Sequence, residues 1–261
     1  MVKKMSRHRL NGTVLVMILF CVVSCATTNM EAQKQQKKQG EALRNLGEAY
    51  YIQGDYTSAL RELLKAEALY PDDPFLQNDL GLTYKAKKKP DLAIKHFNKA
   101  LEIKPDYAPA KNNLGTVYLD KKEWDTAIKY FKEVSENVLY STPQKALANL
   151  GWAYYNKKKY TISETYYLKA LDLEPKFINA QRGLGLTYIA MGRIDEAVEI
   201  LESAVKNYPK VALLYNDLAK VYVLSNDYEK ALDAYHKVIE LAPDSAMAKE
   251  AEKAALRIKR Y

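Results

Sequence analysis

Leu114-Gly115-Thr116-Val117-Tyr118 decides the fold, because its Leu-Gly pair and its tyrosine return along the chain at a fixed step. Leu46-Gly47, Leu80-Gly81, Leu114-Gly115, Leu150-Gly151, Leu184-Gly185 and Leu218-Ala219 follow one another at 34, 34, 36, 34 and 34 residues. Three residues after each Gly or Ala stands a tyrosine: Tyr50, Tyr84, Tyr118, Tyr154, Tyr188 and Tyr222. Twelve residues past the glycine lie small side chains, Ala59, Ala93, Ala127, Ser163, Ala197 and Ala231, and four further on lie large ones, Leu63, Phe97, Phe131, Tyr167, Leu201 and Tyr235. Small residues let helices approach and large ones fill the space between them. Pro71, Pro105, Pro175, Pro209 and Pro243 stop the second helix of a repeat, since proline removes a backbone donor and clashes with the preceding turn; the third repeat lacks its proline.

This period resembles that of tetratricopeptide repeats, each a pair of antiparallel helices whose apolar faces cannot be buried alone. It predicts an all-α fold, a right-handed α-solenoid of six repeats at 40–73, 74–107, 108–143, 144–177, 178–211 and 212–244, with contacts mostly between neighbours. Residues 245–261 read as a capping helix: Lys249, Glu250, Glu252, Lys253, Arg257, Lys259 and Arg260 keep its outer face wet, while Ala251, Ala254, Ala255 and Ile258 cover the end of the core.

Ahead of the repeats, Lys3, Lys4, Arg7 and Arg9 precede an apolar stretch from Thr13 to Val23 that ends in Val22-Val23-Ser24-Cys25. A membrane span needs roughly 20 apolar residues, so 1–24 read instead as a signal peptide with a small-residue cleavage site. An aliphatic pair, a small residue and Cys resembles the lipobox of bacterial lipoproteins, which makes Cys25 the lipidated N-terminus of the mature chain. The lipid then occupies its one remaining sulfur and excludes an intramolecular disulfide. Ala26, rather than Asp, favours delivery to the outer membrane. Residues 25–39, including Gln33-Lys34-Gln35-Gln36-Lys37-Lys38-Gln39, offer no apolar face and read as a polar tether, which if extended reaches on the order of 45 Å.

The sequence carries a net charge of +8, and loss of the four leader cations leaves 36 Lys and Arg against 32 acids, too mild a balance to argue for nucleic acid. His96 and His236 both fall on second helices, where they read as packing or surface residues, and no HExxH, CxxC or zinc spacing occurs. The glycines are spent on the Leu-Gly column and on turns, which leaves no phosphate-cradling loop. Lys87-Lys88-Lys89 and Lys157-Lys158-Lys159 read as solvated turns within repeats two and four. Every segment from Glu41 to Asp244 is a repeat position. The reading is therefore a binding scaffold, not an enzyme, with no cofactor, no metal and no small-molecule substrate.

In the tetratricopeptide family, residues one and four places after the glycine point into the groove lined by first helices. Here these are Glu48, Tyr51, Leu82, Lys85, Thr116, Leu119, Trp152, Tyr155, Leu186, Ile189, Lys220 and Val223. Leu82, Leu119, Trp152, Tyr155, Leu186 and Ile189 would form an apolar strip with Phe75, Asn78 and Asn112 beside it, the mark of an interaction surface. An amphipathic helix or extended peptide is its natural ligand, anchored on Trp and Tyr. The competing account is that superhelical curvature, or a neighbouring copy, covers part of it.

The lipobox, tether and six repeats together resemble the PilF/PilW group of type IV pilus lipoproteins, the pilotins, with the related Tgl proteins. The more specific feature is the long third junction, Val134 to Ala146, whose Leu139, Tyr140 and Pro143, followed by Asn149-Leu150-Gly151, match the family's linker. The resemblance implies a partner, the pilus secretin subunit, which the protein escorts and helps to multimerise at the outer membrane, its repeats facing the periplasm. The competing class is a lipid-anchored adaptor of another envelope assembly system, such as outer-membrane barrel insertion or regulation of a cell-wall enzyme.

Overall fold

The structure, a computed structural model, describes the backbone of residues 7–137 and 140–258 and the side chains of 30–137 and 140–258. Among these residues the fold is all-α, thirteen helices and no strand. The chain divides into an N-terminal unit, Met1–Tyr107, and a C-terminal unit, Ala108–Tyr261. The first holds α1 (Arg7–Ile52), α2 (Tyr56–Leu69), α3 (Pro74–Ala86) and α4 (Pro90–Ile103). The second holds α5 (Ala108–Asp120), α6 (Trp124–Ser135), α7 (Pro143–Asn156), α8 (Tyr160–Leu173), α9 (Ile178–Ala190), α10 (Ile194–Asn207), α11 (Ala212–Leu224), α12 (Tyr228–Leu241) and α13 (Ala246–Ile258). Odd and even helices pair as hairpins, and within each unit the hairpins stack on their neighbours.

The glycine column is where the two helices of a hairpin touch. A Cβ on Gly81 would lie 2.5 Å from the Phe97 ring, on Gly115 2.7 Å from Phe131, on Gly151 2.8 Å from Tyr167, and on Gly47 and Gly185 2.6 and 2.7 Å from Leu63 and Leu201. These partners are the large column read from the sequence, each almost fully buried, and the small column beside it is fully buried. Three of the six column tyrosines pack by stacking. Tyr84 lies on His96 at 5.1 Å, Tyr118 on Tyr130 at 5.8 Å and Tyr154 on Tyr166 at 5.4 Å, each within 15° of parallel.

The turn inside every hairpin turns on one left-handed residue: Gly54, Lys88, Lys122, Lys158, Gly192 and Asn226, with φ between 57° and 81°. Lysine occupies three of these six sites at a cost of about 1–2 kcal/mol each, and this is where the two lysine runs lie. The closing prolines each stand two residues past the end of a second helix. In repeat three Tyr140 packs against Ala108, Val134 and Ala146; Val138 and Leu139 lie outside the described residues.

One expectation needs correction. Residues 25–39 are not extended: α1 runs through them without a break into the first repeat. Glu31 to Gln39 is exposed throughout, so burial does not order it. Glu, Ala, Gln and Lys are strong helix formers, and Gly40, buried against Tyr70, continues the same helix. The signal-peptide and Cys25 readings rest on side chains outside those described. Among the described residues no helix is long and apolar enough to cross a membrane.

Gly115→Ala is expected to destabilise the C-terminal unit by about 1–3 kcal/mol, because the Phe131 ring must move to admit the methyl; urea unfolding followed by circular dichroism measures it.

Candidate protein-binding face

In the C-terminal unit the first helices α7, α9, α11 and α13 lie side by side, each touching the next. Trp152 of α7 is 38% exposed. Its ring stacks on Tyr155 at 5.3 Å and 9°, and Tyr155 tilts against Tyr160 at 5.6 Å. The stack is stiff because its spacing, one turn apart on α7, keeps both rings on one side of the helix. Burial and the neighbouring Tyr160 raise the Tyr155 phenol above its usual pKa, so it stays a neutral donor.

Trp152 also walls a cleft of about 160 Å³ with Asn149, Asn179, Arg182 and Leu186, over a floor of Tyr167 and Gly183. Tyr167 is 2% exposed, and a Cβ at Gly183 would lie 2.2 Å from its ring, so glycine is what lets the floor close. Arg182 is aligned by its Nε, which donates to Asp217 Oδ2 on α11 at 2.5 Å. Asn149 Nδ2 donates to Asn112 Oδ1 at 3.3 Å. The arrangement is an aromatic wall, an apolar wall and fixed polar groups, which can seat an apolar side chain and bond the backbone of a polypeptide.

The structure brings together Trp152, Tyr155 and Leu186 of the expected strip, with Ile189 half-buried against the core of the same unit. Leu119 does not join them. It is 9% exposed and packs with Ala127, Ile128, Phe131, Leu150 and Ala153, because α7 lies over its side of α5. Leu119 is a core residue. Asn112 is likewise buried, and reaches the cleft only through Asn149. Sequence reasoning missed Asn149, Arg182, Asn179 and Asp217. The columns two and three places before the glycine would have supplied Asn149, Arg182 and Asp217.

The N-terminal unit carries the rest. Phe75, 46% exposed, meets Tyr107 edge to face at 5.3 Å, with the Arg44 guanidinium 5.5 Å and the Lys104 ammonium 5.6 Å from its ring. Arg44 also donates to Asp73 Oδ2 at 2.9 Å. Tyr51 tilts against Tyr56 at 5.4 Å. Leu82 is half-buried, and Asn78, placed at the rim of the strip by the sequence, is buried at 6% exposure. Asp79 stands out: burial first, then the Glu48 carboxylate, pushes its carboxyl up to about 7, against a smaller opposing pull from Arg44.

His96 is a packing residue. Its Nδ1 is 2.8 Å from Gln77 Oε1, it is 7% exposed, and burial lowers its pKa. His236 is exposed. Among the described residues no group of three His, Cys, Asp or Glu is placed to hold a metal ion.

Stacked helical hairpins with an aromatic cleft open to solvent define a protein-interaction scaffold. The chain belongs to the tetratricopeptide repeat family: one model of that description matches residues 38–106 and 177–244, over half the chain, and two others match 84–139 and 144–177. Among solved structures it is similar to PilF of Pseudomonas aeruginosa, at 20% identity and TM-score 0.71 over 84% of this chain and 99% of that one. It is also similar to PilW, described as a widely conserved type IV pilus biogenesis factor, at 21% identity and TM-score 0.75 over 81% and 97%. Anaphase-promoting complex subunit 3 of Schizosaccharomyces pombe is 32% identical over 92 residues, 35% of this chain and 14% of that protein. The chain thus spans about a seventh of the length of such curated relatives, and these likenesses establish the fold.

Leu119→Ala is expected to cost about 2–4 kcal/mol of stability, whereas Trp152→Ala leaves the urea midpoint nearly unchanged; equal effects would place both side chains in the core. The folded chain keeps the Asp79 proton to about pH 7, while the unfolded chain loses it near pH 4, so stability falls as pH rises between those values. Asp79→Asn is therefore expected to raise the melting temperature at about pH 8 and to leave it unchanged at about pH 4.

Proposed function

We propose that this chain is a non-catalytic, lipid-anchored tetratricopeptide scaffold of type IV pilus biogenesis, a pilotin. It binds the secretin subunit and promotes its localisation and multimerisation at the outer membrane, with the repeats facing the periplasm. The observation that carries the reading is coverage: the likeness to PilF and PilW extends over 99% and 97% of those chains. Curated relatives share only a fraction of their length with it.

Two further features support the reading. The basic, then apolar, leader ending in Val22-Val23-Ser24-Cys25 supplies a lipidation site and an envelope address; several acyl chains at about 0.8 kcal/mol per buried methylene anchor firmly. The Trp152 cleft offers an exposed aromatic anchor with polar groups at its rim, the equipment for holding an amphipathic segment that would otherwise aggregate before insertion.

Deleting the gene is expected to remove heat-resistant secretin multimer from outer membranes while secretin monomer persists or is mislocalised, as read on unheated and heated immunoblots. Cys25→Ala is expected to move the protein from the membrane to the soluble fraction and to give the same loss. Unchanged multimer in the deletion strain would reject the pilotin role and leave an adaptor of another envelope assembly system.

A further inference from the structure

Reading the first-helix columns onward through α13 gives the binding face of the C-terminal unit a polarity. One column runs Trp152, Leu186, Lys220 and Ala254, and the other Tyr155, Ile189, Val223 and Arg257, each at steps of 34 residues. The elements bearing them touch in the order α7, α9, α11, α13. The face is thus aromatic and aliphatic over α7 and α9 and cationic over α11 and α13.

At the α11 and α13 end of the unit lies a second, wider cleft of about 500 Å³, lined by Asn216, Lys220, Tyr235, Met247, Glu250 and Arg257 among others. Most charges along the face are already paired within the protein. Arg182 is held by Asp217 at 2.5 Å and Lys253 by Glu250 at 2.8 Å. Lys220 and Arg257 are different: both are exposed, and neither makes a hydrogen bond or ion pair with a described residue. Glu250, the one acid at this cleft, has its carboxylate committed to Lys253, with Arg257 adding a weaker field. Two cations therefore stand without a hydrogen-bonded or ion-paired partner among the described residues at one end of the face, and a chain laid along it meets them after its apolar anchor.

We infer that the face binds an acidic amphipathic protein segment, with an apolar side chain seated against Trp152 and Leu186 and carboxylates at Lys220 and Arg257. This rests on the reading that the cleft holds a protein segment, and adds its charge and spacing. Neighbouring packed helices are 8–10 Å apart, so the carboxylates fall about 20 Å from the anchor. That is about six residues of extended chain or about thirteen of helix. An acidic segment gains attraction at both cations, while a basic one of the same apolarity is repelled, which makes the pair a selector more than a source of affinity.

The test uses the full-length chain held on a sensor surface and two synthetic peptides of about 18 residues. They share a Leu- and Phe-bearing half and differ only in carrying Glu or Lys in the other half. The Glu peptide is expected to bind about tenfold more tightly, with the ratio shrinking at high salt. Lys220→Glu with Arg257→Glu is expected to invert the preference, and Trp152→Ala to weaken both peptides alike. Lys220→Gln with Arg257→Gln, which should erase the preference, serves if circular dichroism shows the double reversal misfolded. Equal affinities, or a preference that survives the charge changes, overturn the inference; if Trp152→Ala still weakens both peptides, the protein-binding face stands without it. Binding of phosphatidylglycerol vesicles through Lys220 and Arg257, with neither peptide bound, overturns both and marks a lipid-facing surface.

Discussion

Five glycines meeting five large side chains set the geometry on which everything else is built. Each hairpin closes until the backbone of its first helix rests on a ring or a branched side chain of its second, with no room for a methyl group. Repeat six shows the limit of the rule, since Ala219 stands there opposite Tyr235 and both remain buried. In repeat four the constraint is doubled, because Tyr167 presses on Gly151 from one side and Gly183 from the other. A bulky residue so confined cannot rotate away, and this gives the Trp152 cleft a fixed floor. The binding face inherits its shape from the core beneath it.

The core treats polar groups unevenly, and the reason is local. Gln77 is buried but fully used: Nε2 donates to Glu67 and to the Pro71 carbonyl, and Oε1 faces His96. Gln181 occupies the corresponding site of repeat five, where Leu171 and Ile200 replace the acid and the imidazole. Its Oε1 is buried without a hydrogen-bond partner among the described residues, at a cost of about 1–3 kcal/mol. The surrounding apolar cluster, which reaches from Ala148 to Ala255, outweighs that penalty. Asp79 is the other expense, a half-buried carboxyl with no ion-pair partner among the described residues. Asp217, its counterpart in the same column, is bound by Arg182, whereas Arg44 is drawn instead to Asp73.

Much of this was legible from spacing alone. A 34-residue step fixes which residues repeat, and so the helix pairs, the small and large columns and the prolines all fall out of one count. What the count cannot see is which neighbour lies over a given position. Leu119 and Tyr155 share a column, yet α7 covers the leucine while the tyrosine is only half-buried, propped between Trp152 and Tyr160. The left-handed turn column was hidden for a different reason: lysine carries no signature of positive φ, so Lys88, Lys122 and Lys158 read only as charge. Polarity also misled over residues 25–39, where absence of an apolar face was taken for absence of structure. Glutamine and lysine lack a surface to bury but not the means to coil.

That stretch of α1 has a mechanical meaning. Nine exposed residues of helix, Glu31 to Gln39, form a rod about 13 Å long that is continuous with the first repeat. A flexible leash fixes only how far its cargo can wander, whereas a rod also transmits torque and bearing. Whatever grips the far end of α1 therefore sets the azimuth at which the first hairpin is presented.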